Sequence, residues 1–152
     1  MRPSLGKIVA ASGGFDPLHP GHASYLLEAK KLGGTLVVIV NGDSFLRDKK
    51  GKPFQDLKTR CQIVSFVRGV DYVVPFEIAN DATVSEALRR LRPHVFVMGG
   101  DRSAPELVPE YAVCKEVGIE LMFDVGAAKK WSSRNYLKEW GEFWATAHPT
   151  YG

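Results

Sequence analysis

The sequence predicts an α/β fold in which helices cover both faces of a doubly wound, five-stranded parallel sheet. Short apolar runs alternate with segments of helical length along the whole chain. These runs are almost continuously apolar, which is typical of parallel strands that are buried on both faces. Polar and glycine-containing segments follow the strand ends, where doubly wound sheets bind their ligands. The connections between strands are therefore expected to be right-handed crossovers.

Each element follows from its own stretch of sequence. The predicted strands are the apolar runs Ile8–Ala11, Leu36–Val40, Tyr72–Val74, Val95–Met98 and Glu120–Phe123. The predicted helices are the intervening or following segments Pro20–Lys31, Leu57–Arg68, Val84–Leu91, Glu106–Val117 and Ser133–Trp144. With 152 residues the chain is expected to form a single domain over residues 1–144, followed by a flexible tail over 145–152.

Composition favours a cytoplasmic protein that binds neither nucleic acid nor membrane. The net charge of +3 is too small to indicate either partner by itself. No apolar run approaches the length of a membrane span, and no signal peptide is expected before the first strand. Cys61 and Cys114 lie in predicted helices without the spacing of metal ligands, as in a reduced intracellular protein.

The most informative segment follows the first strand and reads Gly13-Gly14-Phe15-Asp16-Pro17-Leu18-His19-Pro20-Gly21-His22. Pro20 suits the first position of a helix, which places His19 at its cap and His22 in its first turn. A helix N-terminus presents N–H groups and a partial positive charge, which suit a phosphate. The two imidazoles can donate hydrogen bonds to the charge that develops when a phosphoryl group is transferred.

The pattern G-x-F-D-x-x-H-x-G-H resembles the first motif of the cytidylyltransferase-like nucleotidyltransferases. The similarity runs from about residue 5 to residue 140 and includes the nucleotidyltransferase domain of ADP-heptose synthases and the glycerol-3-phosphate cytidylyltransferases. The resemblance implies transfer of a nucleoside monophosphate from CTP or ATP to a sugar or polyol phosphate, with release of pyrophosphate. It further implies catalytic roles for His19 and His22, Mg²⁺ that bridges the phosphates, and a homodimer.

A basic segment after the second strand is a second candidate for phosphate binding. Its clustered cations suit a triphosphate or a phosphorylated acceptor, although a solvated loop explains them equally well. The resemblance places phosphate-contacting lysines here, and Lys49, Lys50 and Lys52 are the candidates, with Lys49 assigned to catalysis. It also suggests substrate-binding roles for Asp43, Lys50, Lys52 and Arg60, while an exposed helix position is the alternative for Arg60.

The resemblance assigns the nucleotide to three turns, each of which follows a strand. The candidate nucleotide-binding residues are Gly13, Gly14, Phe15, Gly21, Met98, Gly99, Gly100, Asp101, Trp131, Ser132 and Ser133. Asp16 is expected to face the same cleft, where it binds acceptor hydroxyls, helps to hold Mg²⁺ or braces the loop. The last of these turns, Lys129–Arg134, is the final motif of the family pattern. It departs from that pattern, because Ala127 and Ala128 occupy the stretch just upstream in which an arginine is common.

Two further functions remain open at this level. The altered final motif is compatible with a nucleotide-binding sensor or scaffold that has weakened catalysis. Pantetheine phosphate and nicotinamide mononucleotide are alternative acceptors, since their adenylyltransferases share the histidine motif. In the last helix, Trp140 and Trp144 form an aromatic stripe with Phe143 that indicates either core or a contact between subunits.

Overall fold

A single sheet of five parallel strands, in the order β3-β2-β1-β4-β5, forms the centre of the molecule. The computed structural model describes residues 4–78, 83–99, 106, 108–126 and 130–149. The strands are β1 (Ile8–Gly13), β2 (Thr35–Asn41), β3 (Tyr72–Phe76), β4 (Val95–Val97) and β5 (Glu120–Met122). The predicted doubly wound parallel sheet is therefore confirmed.

Helices cover both faces of this sheet. They are α1 (Pro20–Lys30), α2 (Asp43–Lys50), α3 (Leu57–Ser65), α4 (Ser85–Leu91), α5 (Pro109–Val117) and α6 (Ser133–Ala147). Helices α1 and α3 contribute Leu26, Ala29 and Val64 to one hydrophobic core. Helices α4 and α5 contribute Leu88 and Val113, among others, to the core on the opposite face.

Alternation along the buried strands divides their side chains between the two cores. In β1, Val9 and Ala11 belong to the core beneath α1 and α3, whereas Ala10 between them belongs to the core beneath α4 and α5. All three are fully buried. Because neither face is polar, the strand reads as a continuous apolar run, which is why the sequence predicted burial on both faces.

The order of the strands creates a crevice beside the carboxyl end of β1. Strand β1 pairs with β2 on one side and with β4 on the other, and its register with β4 ends at Ala11 and Val97. The chain leaves β1 and β4 toward opposite faces of the sheet, so this is the topological switch point at which such folds bind ligands. The predicted histidine segment starts directly at this crevice.

The segment after β2 differs from its prediction, because the expected basic loop is the helix α2 over Asp43–Lys50. Its sequence carries the appropriate signals, with an acidic residue in the first turn and basic residues in the last. Helix α5 begins at Pro109, three residues later than the predicted start at Glu106. Only the ends of the other predicted helices change.

The last helix also differs from its prediction. Helix α6 continues to Ala147, and its final three residues fall in the segment expected to be a flexible tail. None of its residues is buried, and Trp140 and Trp144 are 61% and 49% exposed. The aromatic stripe is therefore not part of the core of this chain. Among the described helices, none is long and apolar enough to span a membrane.

Candidate active site

Two histidines form a reciprocal capping arrangement at the start of α1. His19 is the N-cap residue, and its Nδ1 accepts hydrogen bonds from the N–H groups of Gly21 at 3.1 Å and His22 at 3.4 Å. The Nδ1 of His22 accepts in turn from the N–H of His19 at 3.2 Å. This is the geometry of a capping box in which imidazoles replace the usual hydroxyl and carboxylate.

The capping arrangement changes what the helix end offers to an anion. The N–H groups of Gly21 and His22 are already bound to His19, and the N–H of Ala23 donates to the carbonyl of His19. The sequence predicted that backbone N–H groups would receive the phosphate here. In this structure the imidazole rings stand in front of that backbone, so their remaining N–H groups are the donors on this side of the site.

Hydrogen bonding also determines which ring nitrogens carry the protons. A nitrogen that accepts a backbone N–H must be unprotonated, so each neutral ring carries its hydrogen on Nε2. Burial, the neighbouring His19 and the charge of Lys49 lower the pKa of His22 to about 4. Burial also lowers the pKa of His19. Both rings are therefore neutral Nε2–H donors at neutral pH.

The two rings are stacked, and small or aromatic neighbours enclose them. Their centroids are 3.7 Å apart, and Phe15 meets His22 edge-on at 5.1 Å. A Cβ atom at Gly21 would lie 2.9 Å from Cε1 of His19, closer than real Cβ contacts allow. The glycine of the H-x-G-H pattern is thus required by the capping ring itself.

Arg60 is the largest fully buried side chain, not the exposed helix residue that was the alternative. Its Nη1 donates to the carbonyl oxygens of Gly14 at 2.9 Å and Asn41 at 2.5 Å, and its Nε donates to that of Gln55 at 2.9 Å. Its Nη2 forms an ion pair with Asp43 at 2.6 Å. One guanidinium therefore joins the segments that follow β1 and β2 to the segment that precedes α3.

Asp16 braces the loop after β1, which is one of the three roles that the sequence left open. Its carboxylate is almost fully buried and accepts from the N–H groups of Phe54 and Gln55, each at 2.7 Å. The ammonium of Lys50 lies 2.8 Å from this carboxylate and donates to the carbonyl of Asp16 at 2.7 Å. Lys50 is accordingly held by the protein, whereas Lys52 is exposed.

Helix α2 brings Lys49 close enough for its charge to act on the histidines. Lys49 is exposed in the last turn of α2, and its positive charge contributes to the lowered pKa of His22. Its ammonium also lies 5.8 Å from the ring of Phe45. Of the candidate cations in this segment, Lys49 is the one whose charge lowers the pKa of His22.

The start of α6 forms the opposite wall of the site. Ser132 caps the helix by accepting the N–H of Asn135 at 3.3 Å, and Ser133 donates its hydroxyl to the carbonyl of Pro17 at 2.7 Å. Arg134 donates to the carbonyl of Lys49 at 3.3 Å, which connects α6 to the end of α2. Two helix N-termini, those of α1 and α6, thus meet at the histidine pair.

Trp131 and Tyr136 complete the wall on the side of His19. A Cβ atom at Gly21 would lie 3.4 Å from the indole of Trp131, which places that ring directly over the start of α1. The ring centroid of Tyr136 lies 6.4 Å from that of His19. The sequence had named Trp131, but it had not singled out Tyr136, because an aromatic residue inside an amphipathic helix resembles any other apolar position.

The remaining predicted nucleotide residues are distributed among the strand ends. A Cβ atom at Gly13 would meet the ring of Phe15, and one at Gly14 would lie 2.9 Å from Leu46, so both glycines make room for protein neighbours. Met98 is half-buried and Gly99 is exposed where β4 ends. Gly100 and Asp101 lie outside the described residues.

Tyr25 and Glu77 support this site, although the sequence analysis did not assign roles to them. The hydroxyl of Tyr25 donates to the carbonyl of Val97 at 2.6 Å and so ties α1 to the end of β4. Glu77 follows β3 and accepts the N–H groups of Asp43 and Ser44 at the start of α2. A tyrosine within a helix and a glutamate after a strand give no local signal of such long-range bonds.

Together these features define an α/β protein with a pair of neutral histidine donors at the switch point of its sheet. The description cytidylyltransferase-like applies to the family model that matches residues 10–138. That match covers most of the chain. The chain therefore belongs to the cytidylyltransferase-like family, and it is a nucleotidyltransferase.

Individual relatives agree with this assignment. The chain is 38% identical to the bifunctional protein HldE of Nitrosococcus oceani over 113 residues, which are 73% of this chain and 23% of that protein. It is 42% identical to HldE of Methylococcus capsulatus over 117 residues, 76% of this chain and 24% of that protein. The chain thus spans about a quarter of the length of these relatives.

Solved structures share the fold. The lipopolysaccharide core biosynthesis protein of Thermoplasma volcanium superposes with a TM-score of 0.67 and 26% identity over 81% of this chain and 99% of that one. Pantothenate synthetase of Thermus thermophilus superposes with a TM-score of 0.58 and 18% identity over 88% of this chain and 62% of that one. The second likeness concerns the fold alone.

Proposed function

We propose that this protein transfers a nucleoside monophosphate from CTP or ATP to the phosphate of a sugar or polyol phosphate. An oxygen of the acceptor phosphate attacks the α-phosphorus, and a new P–O bond forms. The bond from the α-phosphorus to the oxygen that bridges it to the β-phosphorus breaks, and pyrophosphate leaves with that electron pair. The acceptor is itself the nucleophile, so positioning replaces a covalent enzyme intermediate.

The stacked histidine pair is the observation that carries this proposal. Its two neutral rings each retain one N–H group on Nε2, because both Nδ1 atoms accept backbone N–H groups. Prepositioned donors of this kind stabilise the charge that grows on phosphoryl oxygens and on departing pyrophosphate. A bound triphosphate would also raise the pKa of both rings and favour the imidazolium form.

The cations around the histidines have separate roles in the proposal. Lys49 and Arg134 face the triphosphate, since Lys49 acts on His22 and Arg134 is hydrogen-bonded to the carbonyl of Lys49. Lys52 is the exposed candidate for the acceptor phosphate. Two ion pairs, Lys50 with Asp16 and Arg60 with Asp43, join the segments around the site. These four residues shape the site instead of contacting substrate.

Mg²⁺ fits this site as the counterion of the nucleotide and not as an ion held by protein ligands. Among the described residues, no three side chains of histidine, cysteine, aspartate or glutamate cluster as metal ligands do. The carboxylate of Asp16 already accepts two N–H groups and the ammonium of Lys50. Mg²⁺ would enter with the NTP and screen the charge of its phosphates.

The similarity to HldE favours ATP as donor and a sugar phosphate as acceptor, and CTP with a polyol phosphate is the alternative. Both substrates belong to the intracellular metabolite pool, which is consistent with a cytoplasmic enzyme. The exposed stripe on α6, which includes Trp140 and Trp144, is the surface we assign to a homodimer.

Pyrophosphate release provides the test. The protein is incubated with Mg²⁺ and each NTP in turn, together with a panel of sugar and polyol phosphates, and pyrophosphate is measured. One NTP and one acceptor class are expected to give release that requires both substrates. If no pair gives release but an NTP raises the unfolding midpoint, the protein binds nucleotide without catalysis, and the proposed reaction is wrong.

His22→Gln separates chemistry from folding. A glutamine oxygen still accepts the N–H of His19, as in an ordinary capping box, but the ring donor is lost. Turnover is expected to fall by about 10²- to 10³-fold while the unfolding midpoint stays close to that of the wild type. Lys138→Ala on the exposed face of α6 is the matched control and should retain full activity. Near-normal turnover of His22→Gln would remove His22 from the mechanism.

A further inference from the structure

The N-terminus of α2 is held by a carboxylate from a neighbouring strand end. Oε2 of Glu77 accepts the N–H of Asp43 at 2.6 Å, and Oε1 accepts the N–H of Ser44 at 3.2 Å. The hydroxyl of Ser44 is the first of several donors that hold the pKa of Glu77 below its usual value. The carboxylate therefore stays ionised and caps the positive end of the helix.

Gly42 makes room for this contact. It is the N-cap residue of α2 and supplies no side-chain hydrogen bond of its own. A Cβ atom at this position would overlap the carboxylate of Glu77. The capping group that a serine or aspartate usually provides from within the helix is thus provided by Glu77 from the end of β3.

Polar contacts, more than packing, determine where α2 lies. The helix has eight residues, of which only Leu46 is buried. A helix of this length is not stable by itself, so its position depends on outside contacts. Those contacts are Glu77 at the first turn, the ion pair of Asp43 with Arg60, and the ion pair of Lys50 with Asp16.

The opposite end of α2 carries Lys49 and is joined to the loop after β1 by the ion pair of Lys50 with Asp16. The charge of Lys49 acts on His22, and Arg134 from α6 donates to the carbonyl of Lys49. A shift or rotation of α2 at its first turn would move the ammonium of Lys49 relative to His22. The eight-residue helix is only about 12 Å long, so a displacement of its first turn is expected to reach Lys49.

We propose that Glu77 is a positioning residue for the reaction: by seating the N-terminus of α2, it positions the opposite end of that helix, and with it Lys49, at the wall of the histidine site. This proposal rests on the proposed function in assigning Lys49 to the phosphates. It makes a distinct claim, because Glu77 acts only through Lys49. In a variant that already lacks the Lys49 side chain, removal of the Glu77 carboxylate should therefore cause no further decrease in kcat/KM.

A double-mutant cycle measures this dependence. Glu77→Ala, Lys49→Ala and the double variant are compared by kcat and KM for the NTP with saturating acceptor. Each single variant is expected to lower kcat/KM by about tenfold, within the range that coupled positions show. The double variant should match Lys49→Ala alone. Additive losses would overturn the proposal, because Glu77 would then act by another route.

Two further variants keep the result interpretable. Glu77→Gln retains one acceptor oxygen for the helix N–H groups, so its loss should be smaller than that of Glu77→Ala. Glu86→Ala removes an exposed carboxylate that pairs with Arg90 on α4, and it should leave kcat/KM unchanged. If kcat/KM falls as far in Glu77→Gln as in Glu77→Ala, then the retained acceptor oxygen does not hold the N-terminus of α2, and the proposed role of Glu77 is refuted.

A measurement without nucleotide distinguishes failure of this proposal from failure of the proposed function. The rings of Phe15 and His19 contact the ring of His22, and the charge of Lys49 lowers its pKa, so withdrawal of the ammonium should raise the pKa of His22. NMR titration of His22 is expected to give a higher pKa in Lys49→Ala and in Glu77→Ala, with no further rise in the double variant. An unchanged pKa in Glu77→Ala would overturn the proposal, whether or not the protein transfers nucleotides.

Discussion

Replacing Arg60 with methionine is expected to cost the fold more than any other single change at the site. The substitution preserves most of the aliphatic volume but removes every donor that reaches Gly14, Asn41 and Gln55. It also leaves Asp43 without its partner at 2.6 Å. Removing one member of a buried ion pair costs about 3–5 kcal/mol, because the other member stays buried and uncompensated.

The partial exposure of Asp43 limits how much stability Arg60→Met can cost. The side chain of Arg60 is fully buried, but that of Asp43 is 25% exposed and is partly solvated once its partner is gone. The three part-buried carbonyl oxygens lose donors as well, but water reaches them, so each loss costs less than the roughly 1–3 kcal/mol of a fully buried group without a partner. We therefore expect about 4 kcal/mol, a large part of the roughly 5–15 kcal/mol of a typical domain.

Urea unfolding followed by circular dichroism measures this loss. Arg60→Lys keeps the charge without the planar fork, so it should fall between the wild type and Arg60→Met. Arg90→Ala removes an exposed arginine from an ion pair with Glu86 and should cost less than about 1 kcal/mol. If Arg60→Met unfolds within about 1 kcal/mol of the wild type, the guanidinium is not the junction of the three segments.

Three other predictions follow from the site and from α6. Gly21→Ala should displace the ring of His19, since the new Cβ atom would lie 2.9 Å from Cε1, and should lower turnover without unfolding the protein; full activity would contradict this. The pKa of His22 near 4 lies below its usual 6.5, so the stability that the neutral ring contributes is complete above pH 6.5 and is lost toward pH 4. Between pH 7 and pH 4.5 the free energy of unfolding should therefore fall more for the wild type than for His22→Gln. Equal decreases would refute this prediction. Trp140→Glu should convert a dimer into monomers in sedimentation velocity, and a monomeric wild type would refute the assigned surface.

Most of the fold could be predicted because buried parallel strands appear in the sequence as short, continuous apolar runs. The five apolar runs correspond to the five strands, and the three central strands β1, β2 and β4 are buried on both faces and tolerate few polar residues. Helix α2 escaped prediction for the complementary reason. The segment is short and mostly polar, with Leu46 as its one buried residue, so its lysines resembled a solvated loop.

The histidine pair could be placed but not fully interpreted. Pro20 and the spacing of His19 and His22 correctly predicted a helix that begins at the cap histidine. The sequence also predicted that backbone N–H groups receive the phosphate. That prediction did not take into account that the ring of His19 accepts those N–H groups itself. Whether an imidazole points at backbone or at solvent depends on its rotamer, and the sequence does not contain that information.

The sequence by itself determined the alternation of strands and helices apart from α2, the parallel sheet that they form, and the histidine motif that follows β1. Hydrophobic patterns and turn residues act over a few neighbouring positions, so they are legible without the fold. Only the tertiary structure decided that Arg60 is a buried junction, that Asp16 braces a loop, and that Glu77 seats α2. Each of these contacts joins residues 17 or more positions apart, where the partner of a charged side chain depends on which segments the packed sheet brings together.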